Sequence, residues 1–314
     1  METVSVEFGY CPLPLRISGH GFAIEPLDDL DSIVKKIGNC PVIKDGWLYC
    51  SPAPASKANY PPERVFSLPK THVLTIQGSP DEEKLRFVVW CLSFLIGMRL
   101  TTTEAGFLDA TPIEPRLLVD FFADEKSIVG GLERALRFYD LCGNGKNPKP
   151  NAKRYEAAIH ALFLSQNPRN LDFEAFFYLY MTLDNCFSIM SKNQDGHVPL
   201  PHSKRLQWMC DRLKISTPEW AKSIDKKKKK NPNVSDIRNN TIHEAIFMGE
   251  PLGFSVLDPN SYSTEKPTST LLEMRYLICR LLVSILDEEA SCAPRISYVG
   301  SSIETRSTHS LDFS

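Results

Sequence analysis

Hydrophobic and polar positions divide the chain into two unlike halves. Through residue 80 the apolar runs are short and lean toward β-structure: Val4–Tyr10, Trp47–Cys50, Val65–Leu68 and His72–Gln77. Pro12, Pro14, Pro52, Pro54, Pro61 and Pro62 break them up, and a residue without a backbone N–H is excluded from helix interiors. The first strong helix follows. Leu85–Ile96 is apolar on nearly every side, which predicts burial, with Ser79 as its cap and Pro80 at its first position. Asp81, Glu82 and Glu83 supply acids to the first turn, and Gly97 stops the helix. The spacing of Leu132, Leu136, Phe138, Tyr139 and Leu141 predicts another helix over Ser127–Cys142.

Residues 143–150, Gly-Asn-Gly-Lys-Asn-Pro-Lys-Pro, hold breakers and no apolar side chain, which reads as a linker. Beyond it the period becomes helical throughout. Helices are expected over Arg154–Ser165, Leu171–Ser191, Ser203–Leu213, Pro218–Ile224 and Thr268–Glu289. One more is expected from Ser235 to Met248, stopped by Gly249 and Pro251. Residues 293–314 are rich in Ser and Thr with no sustained apolar period, the signature of a disordered tail. The expected architecture is an α+β N-terminal domain of short strands and helices over 1–142, then a linker. An all-α helical bundle over 151–292 and the tail complete it. No repeat of fixed period is visible, so a solenoid is not expected.

Composition narrows the classes. Hydrophobic residues at 42% and charged ones at 24% match an ordinary globular protein with a real core. The longest apolar run, Phe87–Ile96, is shorter than the ~20 residues that cross a bilayer, and Met1–Tyr10 is acidic where a signal peptide is basic. The nine cysteines are scattered and form no C-x-x-C pair, which points to a reducing cytoplasm without disulfides or structural zinc. Net charge is −2, yet residues 201–243 carry 11 Lys/Arg against 4 Asp/Glu. That local excess, with the run Lys226, Lys227, Lys228, Lys229 and Lys230, is a footprint for an anionic partner such as RNA.

Several chemistries are excluded by their missing motifs. His243-Glu244 begins like H-E-x-x-H, but Phe247 stands where the second zinc ligand belongs. The chain has no phosphate-binding G-x-x-x-x-G-K-[ST] loop, no strand–G-x-G-x-x-G–helix unit and no G-x-S-x-G elbow, so no cofactor and no metal are expected. His160, His197, His202 and His309 have no partner at ligand spacing.

One segment carries chemistry: Asn233-Val-Ser-Asp-Ile-Arg238-Asn239-Asn240-Thr241-Ile242-His243. Asn233 or Ser235 caps a helix and places Arg238 in or next to its first turn, where a cation opposes the helix dipole. The placement makes sense if free N–H groups and the guanidinium take an anion together. Asn239 and Asn240 are poor helix formers with no propensity reason to be there. Arginine and histidine at a phosphate suit metal-free RNA cleavage. The RNA 2′-OH attacks the adjacent phosphorus, imidazole moves the protons, and the guanidinium stabilises phosphoryl charge. In a symmetric dimer two His243 side chains divide the proton roles. A non-catalytic module that binds RNA or a protein partner is the competing reading.

Arg238-Asn239-Asn240-Thr241-Ile242-His243 resembles the R-x(4–6)-H signature of HEPN-superfamily ribonucleases, which open a late helix of an all-α bundle. Arg154–Leu162 and Phe176–Asp184 resemble the opening helices of its Apea-like branch, and Leu92–Gly97 resembles the stretch that precedes HEPN there. The resemblance covers residues 150–292. It implies a metal-independent endoribonuclease, cytoplasmic, acting as a homodimer whose two motifs face each other. Many relatives are toxins or antiphage-defence effectors that cut tRNA or other RNA. It implies Arg238 and His243 as catalytic, Asn239 as their orienting residue, and Asp184 as support where relatives carry Glu on the second helix. Ala245 occupies the place of a tyrosine that a partner nucleotidyltransferase modifies in some relatives. Residues 1–142 are left as a sensor or regulatory part for a ligand or protein.

Overall fold

The structure, a computed structural model, describes residues 2–50, 65–78, 81–104, 106–108, 110–115, 124–143, 149–192, 200–222, 234–253 and 267–287. Of the linker expected over 143–150, residues 144–148 lie outside the described residues, whereas Gly143 ends one helix and Lys149 begins the next; Asn233 and the tail expected over 293–314 also lie outside the described residues.

The N-terminal region is built on small antiparallel sheets. β1 (Thr3–Phe8), β2 (Ile17–Gly19) and β3 (Phe22–Pro26) come first, followed by α1 (Leu30–Gly38). β4 (Ile43–Lys44), β5 (Trp47–Tyr49), β6 (Val65–Phe66) and β7 (His72–Gln77) lead to α2 (Glu82–Ile96), and β8 (Phe107–Leu108), β9 (Ala110–Pro112) and α3 (Glu125–Gly143) close the region. The main sheet has the order β1-β7-β3-β2, with Val6 opposite Leu74. Alternation fixes its faces: His72, Leu74 and Ile76 of β7 are buried while Thr3, Ser5 and Glu7 of β1 point to water.

Two elements here differ from the sequence reading. The β4–β5 hairpin turns at Asp45-Gly46, both with positive φ, the mirror-image turn that matches the strands' twist. Helix α1 was hidden by the prolines around it, although Leu30, Ile33, Val34 and Ile37 recur at helical steps. The cap of α2 is also corrected. Asp81, in an extended conformation, takes the Lys84 N–H on its carboxylate at 2.8 Å, so Asp81 rather than Ser79 does the capping. Gly97 ends the helix in the left-handed region, as its place in the sequence predicts.

The helical region follows: α4 (Lys149–Leu164), α5 (Asp172–Lys192), α6 (His202–Arg212), α7 (Val234–Glu244), the hairpin of β10 (Ile246–Phe247) and β11 (Glu250–Pro251), and α8 (Pro267–Leu286). Pro218–Ile224 forms only a 3-10 turn at Glu219–Ala221 within the described residues. α5 packs against α4 and α8, and it also touches α6 and α7, which touch each other. None of the described helices is long and apolar enough to cross a membrane.

One apolar interior runs through both regions. It takes in Phe8, Ile24 and Leu74 of the main sheet, most of α2, and the inner faces of α3, α4, α5 and α8. Phe87 of α2 sits at the crossing, with ring centroids 5.9 Å from Phe138, 5.4 Å from Tyr139 and 5.9 Å from Tyr155. Tyr155 is fully buried and donates its hydroxyl to the Leu282 carbonyl at 2.9 Å, which ties α4 to α8. α2 is therefore apolar all round because it has the sheet on one side and helices on the other.

α7 stops four residues earlier than its sequence pattern suggests. Ala245 takes φ 56° and the chain leaves the helix at Glu244. Had the helix continued, Phe247 would lie about 240° round from the buried Thr241, on the solvent side. The hairpin instead turns Phe247 inward against Phe176, centroids 5.4 Å apart, and buries it fully. Thr241 seals the turn, its hydroxyl reaching the Ile237 and Ile246 carbonyls at 2.6 and 3.2 Å.

Candidate functional site

α7 turns Val234, Ser235, Ile237 and Thr241 inward. Arg238 is its fifth residue, next to the first turn, and is half-buried at the edge of that face. Its guanidinium lies 6.0 Å from the ring centre of Tyr180 on α5, and Nη1 donates to Asn239 Oδ1 at 2.9 Å. Asn239 itself is exposed. His243 stands two residues beyond Thr241, about 200° further round the axis, and is exposed in the last turn. Arg238 and His243 thus occupy different surroundings within one chain, the first against α5 and the second in water. Lys226–Lys230 lie outside the described residues.

Asp184 follows Tyr180 by one turn of α5, and its neighbours come from α6. Arg205 donates Nη1 to Asp184 Oδ1 at 2.9 Å and Nε to the Leu200 carbonyl at 3.1 Å. Its guanidinium is stacked 4.6 Å from the Phe187 ring centre. Asp184 therefore has the basic partner that the sequence near it lacks, supplied 21 residues later. His202, in the first turn of α6, completes the group. Its Nδ1 lies 2.9 Å from the Tyr180 hydroxyl, 3.3 Å from Arg205 Nη1 and 3.7 Å from Asp184 Oδ1. The imidazole stacks on Tyr180, centroids 6.1 Å apart and planes 29° apart.

The hydrogen bonds fix the protonation pattern. A guanidinium only donates, so His202 Nδ1 accepts from Arg205 and from the Tyr180 hydroxyl, and the ring is neutral. Burial holds the His202 pKa below its ordinary value. The Asp184 carboxylate opposes that shift, and the charges of Arg205 and Arg238 reinforce it. Tyr180 is pushed upward by burial and by Asp184. Arg205 and Asp184 cancel each other, while Arg238 has no carboxylate against it among the described residues. The junction of α5, α6 and α7 therefore holds one unbalanced positive charge, partly sheltered from water, and such a site attracts an anion.

The structure thus brings Asp184 and Arg238 into one neighbourhood and keeps His243 outside it. Tyr180, His202 and Arg205 were missed in the sequence. His202 has no partner at ligand spacing along the chain, and its partners come from another helix. The available signal was the pair of spacings Tyr180/Asp184 and His202/Arg205, which put two polar groups on one face of each of two helices. Comparison of the chain with protein-family models, with curated proteins and with solved structures finds no match in any of the three.

Proposed function

We propose that the protein is a metal-independent endoribonuclease of HEPN type. The observation that carries the reading is on α7. One helix presents an arginine with no carboxylate partner and, five residues on, an exposed histidine with no partner among the described residues. Arg238 stabilises charge on the phosphoryl oxygens, and His243 takes the 2′-OH proton or returns one to the leaving 5′-oxygen. The products are a 2′,3′-cyclic phosphate and a 5′-hydroxyl.

The angle between the two side chains, about 140° round the helix, makes a second copy part of the site. In a homodimer with α7 facing α7, Arg238 of one protomer and His243 of its partner flank one phosphate. Ile242, beside His243 on α7, is a large apolar side chain left exposed, which suits burial against a second copy. Lys226–Lys230 hold the flanking RNA backbone, a toxin or defence effector is the matching role, and the N-terminal sheets take the regulatory ligand. Cys11, Cys91, Cys186, Cys210 and Cys279 are buried thiols, in keeping with a reducing cytoplasm.

Purified protein incubated with tRNA and total RNA in EDTA tests the reading. Cut ends bearing cyclic phosphate are expected, falling about 10²- to 10⁴-fold in Arg238→Ala and in His243→Ala. Mixing the two inactive variants restores part of the activity if sites form across the dimer. Cleavage that survives both substitutions, or ends with a free 3′-hydroxyl, removes the mechanism. The second reading, an RNA- or protein-binding module without turnover, is favoured by one observation: no side chain among the described residues orients the His243 ring. It expects RNA retention that falls with salt and yields no cut ends.

A further inference from the structure

The junction of α5, α6 and α7 contains more than the R-x(4–6)-H pair requires. His202 belongs to no motif in the chain, yet two side chains hold its ring. Arg205, which can only donate, makes Nδ1 the acceptor at 3.3 Å, and the Tyr180 hydroxyl shares that nitrogen at 2.9 Å, with the two ring planes 29° apart. With Nδ1 occupied as an acceptor, Nε2 carries the ring proton. The His202 side chain is one-third exposed (33%). Arg205 is spent on Asp184 and on the Leu200 carbonyl. Among the described residues of this junction, two donors then remain for a ligand: the Arg238 guanidinium and the His202 Nε2–H.

These two groups differ in a useful way. Arg238 brings a whole charge, and His202 brings a directed N–H without adding a second charge to a half-buried place that already holds two guanidinium groups. A phosphodiester oxygen needs both attraction and direction.

Resting on the ribonuclease reading, we propose that His202 is a phosphate-binding residue of the same site. It donates Nε2–H to a phosphodiester oxygen held by Arg238 of its own chain, and Tyr180, Arg205 and Asp184 are positioning residues for its ring. His202 transfers no proton. Its place in the reaction is to fix the substrate phosphate, so that the arginine half of each site is complete within one protomer.

Two substitutions separate the edges of the ring. His202→Asn keeps an acceptor near the Nδ1 position for Tyr180 and Arg205 and removes the outer donor. His202→Gln places an amide N–H near the Nε2 position. Binding is read by fluorescence anisotropy with a single-stranded oligoribonucleotide in EDTA, in the His243→Ala background so that the RNA stays intact, with Tm measured on each variant. His202→Asn is expected to weaken binding about tenfold at unchanged Tm, and His202→Gln to keep most of it. In the cleaving protein, His202→Asn is expected to raise KM and leave the pH profile of kcat in place. Equal affinity of His202→Asn and its parent overturns the proposal, and so does a Tm loss that His202→Gln shares. If RNA is cut in an Arg238- and His243-dependent way while these outcomes are seen, the ribonuclease reading stands and only the role of His202 falls. RNA that neither binds nor is cut removes both.

Discussion

Acid should unfold this protein through a buried histidine in its N-terminal sheet, and the geometry says by how much. His72 is fully buried on β7, stacked against Phe8 with ring centroids 5.5 Å apart. Its Nε2 accepts the Leu15 N–H at 3.3 Å, and its Nδ1 lies 3.0 Å from the Thr71 hydroxyl, which in turn accepts the Cys11 N–H at 3.0 Å. A proton on Nε2 would set two donors face to face, and the ring has no water to turn to. Burial lowers its pKa from 6.5 to about 4, against a smaller upward pull from the Leu13 carbonyl. A depressed histidine pKa contributes stability that is complete above 6.5 and drains away as the pH falls toward about 4. Near pH 5 the unfolded imidazole is almost wholly protonated and the folded one about a tenth so. The neutral fraction is then about thirtyfold larger in the folded state, which is worth about 2 kcal/mol, a large share of an ordinary domain's stability. Urea unfolding followed by the fluorescence of the four tryptophans, at about pH 7.5 and about pH 5, measures it. His72→Gln keeps an acceptor for Leu15 and cannot be protonated. It should be less stable than wild type at neutral pH but lose about 2 kcal/mol less on acidification. His160, whose pKa burial and Arg99 also lower to about 4, is common to both proteins and cancels in the difference. An identical loss in wild type and variant would show that His72 is already exposed or already charged in the folded state.

Two stability predictions rest on single contacts. Tyr155→Phe leaves the buried Leu282 carbonyl without its 2.9 Å donor and should cost about 1–2 kcal/mol in urea unfolding; a neutral result would mean that water or a shift of α8 replaces the bond. Asp81→Ala removes both the 2.8 Å cap on Lys84 N and the acceptor for the Tyr139 hydroxyl at 2.9 Å. It should lower stability by about 1–2 kcal/mol, whereas Asp81→Asn should recover much of the cap.

Local pattern by itself determined a good deal of this protein. A β-leaning N-terminal region, the all-round apolar α2 with its glycine stop, and the long helices after residue 149 all follow from periodicity and breakers that act over a few residues. The same local reasoning picked out Arg238 and His243 on one helix and set the angle between them. It did not see where α7 ends, because burying Phe247 against Phe176 is a long-range gain that overrides helix continuation. It placed the α2 cap two residues early, because Ser79 and Asp81 are both good caps in sequence and only the folded backbone shows which carboxylate or hydroxyl meets the free N–H. Above all it missed the group around Tyr180. Asp184, His202, Arg205 and Arg238 come from three helices, and of these the sequence had singled out Asp184 and Arg238 without the partners that join them. Their charge balance, the neutral state of the His202 ring and a guanidinium, Arg238, with no carboxylate against it among the described residues exist only once α6 and α7 are laid against α5. Electrostatic coupling depends on distances through space, which periodicity along the chain does not encode.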